Sequence, residues 1–315
     1  MSKSTRQAAF LFLTLAIAMV LIVCPFMAGV AYAGGARGDD WEELYGDWFD
    51  NFNPERFRDE DGKSLTWFEK TVARGMYSLL KAVVKGLNLE PIEAVVFKRP
   101  VGEEYPEPLF RPYGGFPEVG GVYYASEWEN VIKPAHGFFK NISFSILLIS
   151  VLLGGVSIAL KSGNPVERAR VKEMFFNWIV TAVMIGAMLT LTVIAFDLNS
   201  RLVVAVEGII RQSLNIQDGS YPTLKLAESL TTGSWFFTFL SFAGFIVLTV
   251  FFNVLYLLRK FIISILLVVG PLVVLAWGRG RQMSLYLWLS ELVSNIFMQA
   301  AHAIAFALYL LLVTI

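Results

Sequence analysis

Residues 284–315 form an almost unbroken apolar run that carries Trp288, Glu291, Asn295, Gln299 and His302. The successive spacings are three, four, four and three residues. At about 100° per residue these five side chains fall within roughly 80° of one another on a helical wheel. Phe306 and Tyr309 continue that face, and Leu285, Leu289, Leu292, Ile296, Ala300, Ile304 and Leu308 fill the others. The run predicts a membrane helix with a polar stripe. An ionisable group in hydrocarbon costs at least ~2.5 kcal/mol on insertion scales, so the stripe is expected to face protein or a watery cavity.

Other blocks of the same kind set the class. The chain is 56% hydrophobic, above the ~45–50% of soluble domains, and the excess is concentrated in long runs. The expected fold is all-α: a polytopic membrane bundle of about five spans behind an amino-terminal signal segment. The spans are expected near 138–160, 174–196, 234–258, 261–277 and 284–315. Cys24 is the single cysteine, which excludes an intrachain disulfide and a cysteine-based metal site.

Residues 1–33 read as a signal peptide or uncleaved signal anchor. Lys3 and Arg6 precede an apolar stretch that ends in Ala31-Tyr32-Ala33. Residues 34–137 then form an extracytoplasmic region. It opens with acidic, aromatic-studded sequence such as Asp39-Asp40-Trp41-Glu42-Glu43, a solvated strap or a dock for a basic partner. At 64–86, Leu65, Phe68, Val72, Met76, Leu79, Leu80, Val83 and Val84 recur at helical spacing, with Lys70, Arg74, Lys81 and Lys85 largely off that face. Such a helix lies at a membrane interface or packs on a neighbouring subunit. Pro91, Pro100, Pro106, Pro108, Pro112 and Gly114-Gly115 predict an extended loop or a small strand-containing flap beyond it.

Charge sets the expected topology. Lys161, Arg168, Arg170 and Lys172 mark a basic cytoplasmic loop after the first span. An amphipathic stretch at 199–217 follows the second, with Glu207 and Arg211 at helical ion-pair spacing. Arg259-Lys260 would end the third span inside, which turns Arg279 and Arg281 outward against the positive-inside preference. Segment 261–277 either crosses in spite of this or is re-entrant. Gly270-Pro271 near its middle is expected to kink it, and neighbouring helices must satisfy the carbonyl that proline frees. The mature amino terminus is placed outside and the carboxyl terminus in the cytoplasm.

The sequence holds no catalytic constellation, no phosphate-binding Gly-Lys loop and no paired-histidine metal motif, so neither enzyme activity nor a cofactor or metal is expected. Glu291 and His302 lie eleven residues apart on one helix, ~16 Å, too far for direct proton transfer. The stripe serves either helix and subunit packing or the lining of a pore, with Asn177 and Asn253 as candidate polar partners.

Arg259-Lys260-Phe261, Gly270-Pro271-Leu272 and the series Trp288, Glu291, Asn295, Gln299, His302-Ala303 resemble the closing part of the TrbL family. That family comprises polytopic inner-membrane subunits of type IV secretion and conjugation systems, and is related to membrane subunits of archaeal DNA-import machinery. The resemblance covers about 253–309, with topology alone before that. It implies a cytoplasmic-membrane channel or scaffold subunit, oligomeric, beside other secretion subunits and a separate ATPase, with single-stranded DNA in transit. By resemblance Pro271 and the stripe are structural rather than catalytic. The residues themselves leave two alternatives: a secondary transporter of a small solute or proton, and a purely structural assembly subunit. No internal repeat or matched pair of broken helices supports the transporter. The acidic 34–63 segment would repel a phosphate backbone.

Overall fold

The computed structural model describes residues 67–87, 89–101, 109–110, 117–160, 165–214 and 235–314. The expected signal segment, the acidic opening and Lys161 lie outside them. The described residues are helical, without a strand; a single bridge joins Val119 and Tyr123. We number the helices α1 (Trp67–Leu87), α2 (Ile92–Val96), α3 (Ala125–Glu127), α4 (Lys133–Leu160), α5 (Pro165–Leu214), α6 (Trp235–Gly278) and α7 (Gln282–Thr314). A π-helical turn, Trp128–Ile132, joins α3 to α4.

Among the described residues, four helical stretches are long and apolar enough to cross a membrane: Ala125–Ser157, Glu173–Ser213, Ala243–Gly278 and Met283–Leu312. The expected spans 234–258 and 261–277 fall in one continuous helix, α6, from Trp235 to Gly278. The reason lies in the junction. Leu257-Leu258-Arg259-Lys260-Phe261-Ile262 offers no Gly, Pro, Asn, Asp or Ser on which to turn. Likewise the expected second span and the amphipathic stretch 199–217 share helix α5. It holds 50 residues, about 75 Å at 1.5 Å per residue, well beyond a ~30 Å hydrocarbon core.

The chain divides into two compact units that interleave in sequence. The first contains α1, α2 and α6 as far as Tyr256. In α1, Leu80, Val84 and Leu87 are buried within the protein, at the spacing of one helical face, while Leu79 is exposed. Asn253 clasps the Glu90 backbone: its Oδ1 accepts from Glu90 N at 3.2 Å, and its Nδ2 donates to Glu90 O at 2.9 Å.

The second unit holds α3, α4, α5, the rest of α6, and α7. α4 and α6 run one way and α5 and α7 the other. The Arg279 guanidinium, just past α6, donates to Ser150 Oγ in α4, and Gly278 abuts Thr181 in α5. Toward the other end Asn199 of α5 meets Gln299 of α7. The α6–α7 turn therefore lies toward the same end of this unit as the start of α5. The helices close on Leu147, Trp178, Ile185, Met188, Leu267, Val274, Trp288, Leu292 and Ile296. Outward-facing Leu148, Leu152, Leu153, Phe176, Val183, Ile194, Phe261 and Leu308 are exposed, as suits a lipid-facing surface.

Candidate functional site

Several hydroxyl groups along the helices are satisfied within their own turns, although the buried Ser143 hydroxyl of α4 is not. Ser150, Thr181, Thr192, Ser200 and Ser264 each donate to the carbonyl four residues back, so they need no partner in an apolar setting. Among the described residues, polar groups that cross between elements of the second unit gather in three clusters, two of them layers between the long helices.

The inner layer surrounds Pro271. Proline has no N–H, so the Leu267 carbonyl loses its helical donor. His136 of α4, itself buried, supplies one: its Nδ1 lies 2.9 Å from Leu267 O. A carbonyl only accepts, so Nδ1 carries the proton in this contact. Trp288 Nε1 donates to the preceding carbonyl, Leu266 O, at 2.9 Å. Gly270 permits this approach, since a Cβ there would strike Met188 and Trp288. α6 is helical through Gly270 and Pro271.

The outer layer centres on Gln299 and Arg259, both buried. Arg259 Nε donates to Asn295 O at 2.7 Å, Nη2 to Ile296 O at 3.0 Å, and Nη1 to Gln299 Oε1 at 3.3 Å. Asn199 Nδ2 donates to the same Oε1 at 3.0 Å, and Gln299 Nε2 donates to Lys98 O. One carboxamide thus ties α5, α6, α7 and the 97–101 segment together. Gly120 and Gly121 turn beside the Lys98 carbonyl with φ of 61° and 68°. A Cβ at Gly121 would strike that carbonyl, and one at Gly120 would strike Phe196. Beside this node Arg99 Nε meets Glu207 Oε2 at 2.9 Å, both buried.

A third cluster holds the loop before α3. Lys260 Nζ binds both Glu127 oxygens, at 2.6 and 2.7 Å. The Tyr123 hydroxyl donates to Lys260 O at 3.2 Å and lies 2.8 Å from Ser264 Oγ. Burial, helped by the Glu127 charge, pushes the Tyr123 phenol up from 10.0 to about 12, against the Ser264 hydrogen bond and the Arg259 charge.

The expected stripe is divided. Trp288 and Gln299 are buried, Asn295 and His302 are half-buried, and Glu291 is exposed. The buried face of α7 runs through Trp288, Leu292, Ile296, Gln299, Ala303, Ala307 and Leu310, centred about 70° around the helix from the stripe. Asn295 bonds locally, its Nδ2 donating to Glu291 O at 2.8 Å. The candidate partners of the stripe are elsewhere. Asn253 is engaged with Glu90, and Asn177 is half-buried near the start of α5, about 21 Å along the helices from the level of Glu291. Of the basic loop, Arg168, Arg170 and Lys172 lie on α5 itself rather than in a loop.

His136, Arg259, Asn199, Lys98 and the Arg99–Glu207 pair lie outside the site residues expected from the sequence. Arg259 carried a signal: a charge inside an apolar run without turn residues is an intramembrane ion with a partner elsewhere. Nothing in the sequence pointed to Lys98, which contributes its backbone. Comparison of the chain with family models, curated proteins and solved structures found no match.

Proposed function

We propose that this chain is a membrane scaffold subunit of a conjugation-like transfer apparatus in the cytoplasmic membrane, working beside a separate ATPase. The observation that carries the scaffold reading is the Gln299 node. Side chains suited to wetting a pore direct their hydrogen bonds at one another and at backbone carbonyls. A buried network of this kind fixes helix register rather than lining a conduit. The transfer apparatus comes from the TrbL resemblance of residues 253–309. Positive-inside orientation places the Arg279–Arg281 turn and the start of α5 in the cytoplasm. The carboxyl terminus then lies outside, the reverse of what five spans would give, and Arg279 and Arg281 no longer oppose the charge rule.

The test is in-cell photocrosslinking during DNA transfer, with probes at Asn295 and Gln299 and a lipid-side control at Ile304. Capture of protein neighbours at the first two positions supports the scaffold. Capture of DNA there, and not at Ile304, makes the stripe a channel wall and overturns it.

A further inference from the structure

Glu291 stands on α7 inside the stretch Met283–Leu312, ten residues beyond the Arg281 turn. At 1.5 Å per residue that is about 15 Å, near the middle of a ~30 Å hydrocarbon core. Yet Glu291 is exposed. Among the described residues its carboxylate meets only Asn295 Nδ2, at 3.5 Å, the outer limit of a hydrogen bond. Lipid offers such a carboxyl group no partner in either protonation state. The surrounding surface is exposed too: Leu287, Ser290, Ser294, Ala301, Ala305 and Leu308 form a neighbouring strip along the same helix.

We infer that this edge of α7 is a seam between copies of the chain, in which Glu291 is covered by the Ser290, Ser294 and Asn295 groups of an identical α7. The inference rests on α7 crossing a membrane and is independent of what the assembly transfers. Copies inserted in one orientation are related by rotation about the membrane normal, so residues of equal depth meet. Depth matching brings Glu291 to serine hydroxyls and a carboxamide, which supply the donors a carboxylate lacks in hydrocarbon. That set is self-complementary, since Asn295 and both serines also accept. Ser290, Ser294, Ala301 and Ala305 are small enough for the two backbones to approach closely. A foreign helix carrying lysine or arginine is the competing occupant. The serines and the carboxamide would add little to such a contact.

The experiment places a benzophenone photoprobe at Ser290 or Ala301 in the full chain, in membranes from cells that express two differently tagged copies. A probe at the outward-facing Leu153 of α4 is the control. The expected product from Ser290 and Ala301, absent from Leu153, is an adduct carrying both tags. An adduct with a different polypeptide, or with lipid alone, overturns the seam. As a second measurement, subunit counting by photobleaching in liposomes compares Glu291→Gln with Glu291→Leu. Gln keeps the hydrogen bonds and should associate within about threefold of the parent, while Leu should weaken association by about tenfold or more. Equal association of all three proteins overturns the proposal. Neither readout involves transfer, so a failed seam and a failed transfer role are told apart.

Discussion

His136 Nδ1 stands 2.9 Å from the carbonyl oxygen of Leu267, the acceptor that Pro271 leaves without its helical N–H. A break in one helix is thus mended by a histidine from another, 131 residues away in sequence. Trp288, from a third helix, donates to the adjacent carbonyl, Leu266 O.

This relationship predicts a thermodynamic coupling. His136→Ala strands a buried carbonyl and should cost about 1–3 kcal/mol. Pro271→Ala restores the N–H at residue 271, so in that background the cost of His136→Ala should fall by at least about half. Reversible unfolding in detergent of the parent, both single variants and the double variant closes the cycle. Additive effects would mean that the histidine acts by packing alone.

Much of the architecture was legible in the sequence because bilayer thickness and hydrophobic length are one-dimensional quantities. Residues 138–160 and 284–314 of the expected first and last spans fall in α4 and α7 for that reason, and the need to satisfy a carbonyl that Pro271 frees could be read from the proline itself. The identity of the donor could not, because it depends on which helix packs there. Arg259-Lys260 misled for a related reason. Charge weighs toward a membrane boundary, but a turn also needs residues that bend the chain, and 257–262 holds none. The stripe on α7 was visible, yet which of its edges is buried is set by neighbouring helices. That rotation decides that Gln299 is a junction while Glu291 is exposed.

Gln299 should be the most sensitive member of the stripe. Gln299→Leu removes the acceptor shared by Arg259 and Asn199 together with the donor to Lys98 O. Arg259 keeps its bonds to Asn295 O and Ile296 O, so the loss should be about 1–3 kcal/mol for each buried group left without a partner. Gln299→Glu restores an acceptor for Arg259 and should recover part of that loss. His302→Ala, at a half-buried position on the same helix, should be mild by comparison. Thermal unfolding of the three variants in one detergent gives the order directly.

Tyr123 predicts an alkaline limit. Its folded-state pKa of about 12 lies above its ordinary value of 10.0. The stability it contributes is therefore complete below pH 10 and is lost as the pH rises through about 12. Tyr123→Phe has no proton to lose, so its stability should decline less over that window, although it is lower at pH 9 for want of the hydroxyl's hydrogen bonds. Melting temperatures from pH 9 to 12, with tyrosinate absorbance recorded alongside, would show this. Parallel decline of the two proteins would remove Tyr123 as the cause.

Under the proposed topology, in which α6 is a single crossing, the sidedness expected for everything after it is reversed. With 234–258 and 261–277 as separate crossings, Arg279 and Arg281 fall outside and the carboxyl terminus inside. With one helix the basic turn shares an end with the start of α5, where Arg168, Arg170 and Lys172 lie on the helix. Several cations on one side of the hydrocarbon agree with positive-inside insertion. In a Cys24→Ser background, Arg281→Cys should react with a membrane-impermeant maleimide only after permeabilisation. An epitope added after Ile315 should be reached by antibody on intact spheroplasts. The opposite pattern would restore the cytoplasmic carboxyl terminus and require a turn within α6, for which Arg259-Lys260 would be the only charged candidate.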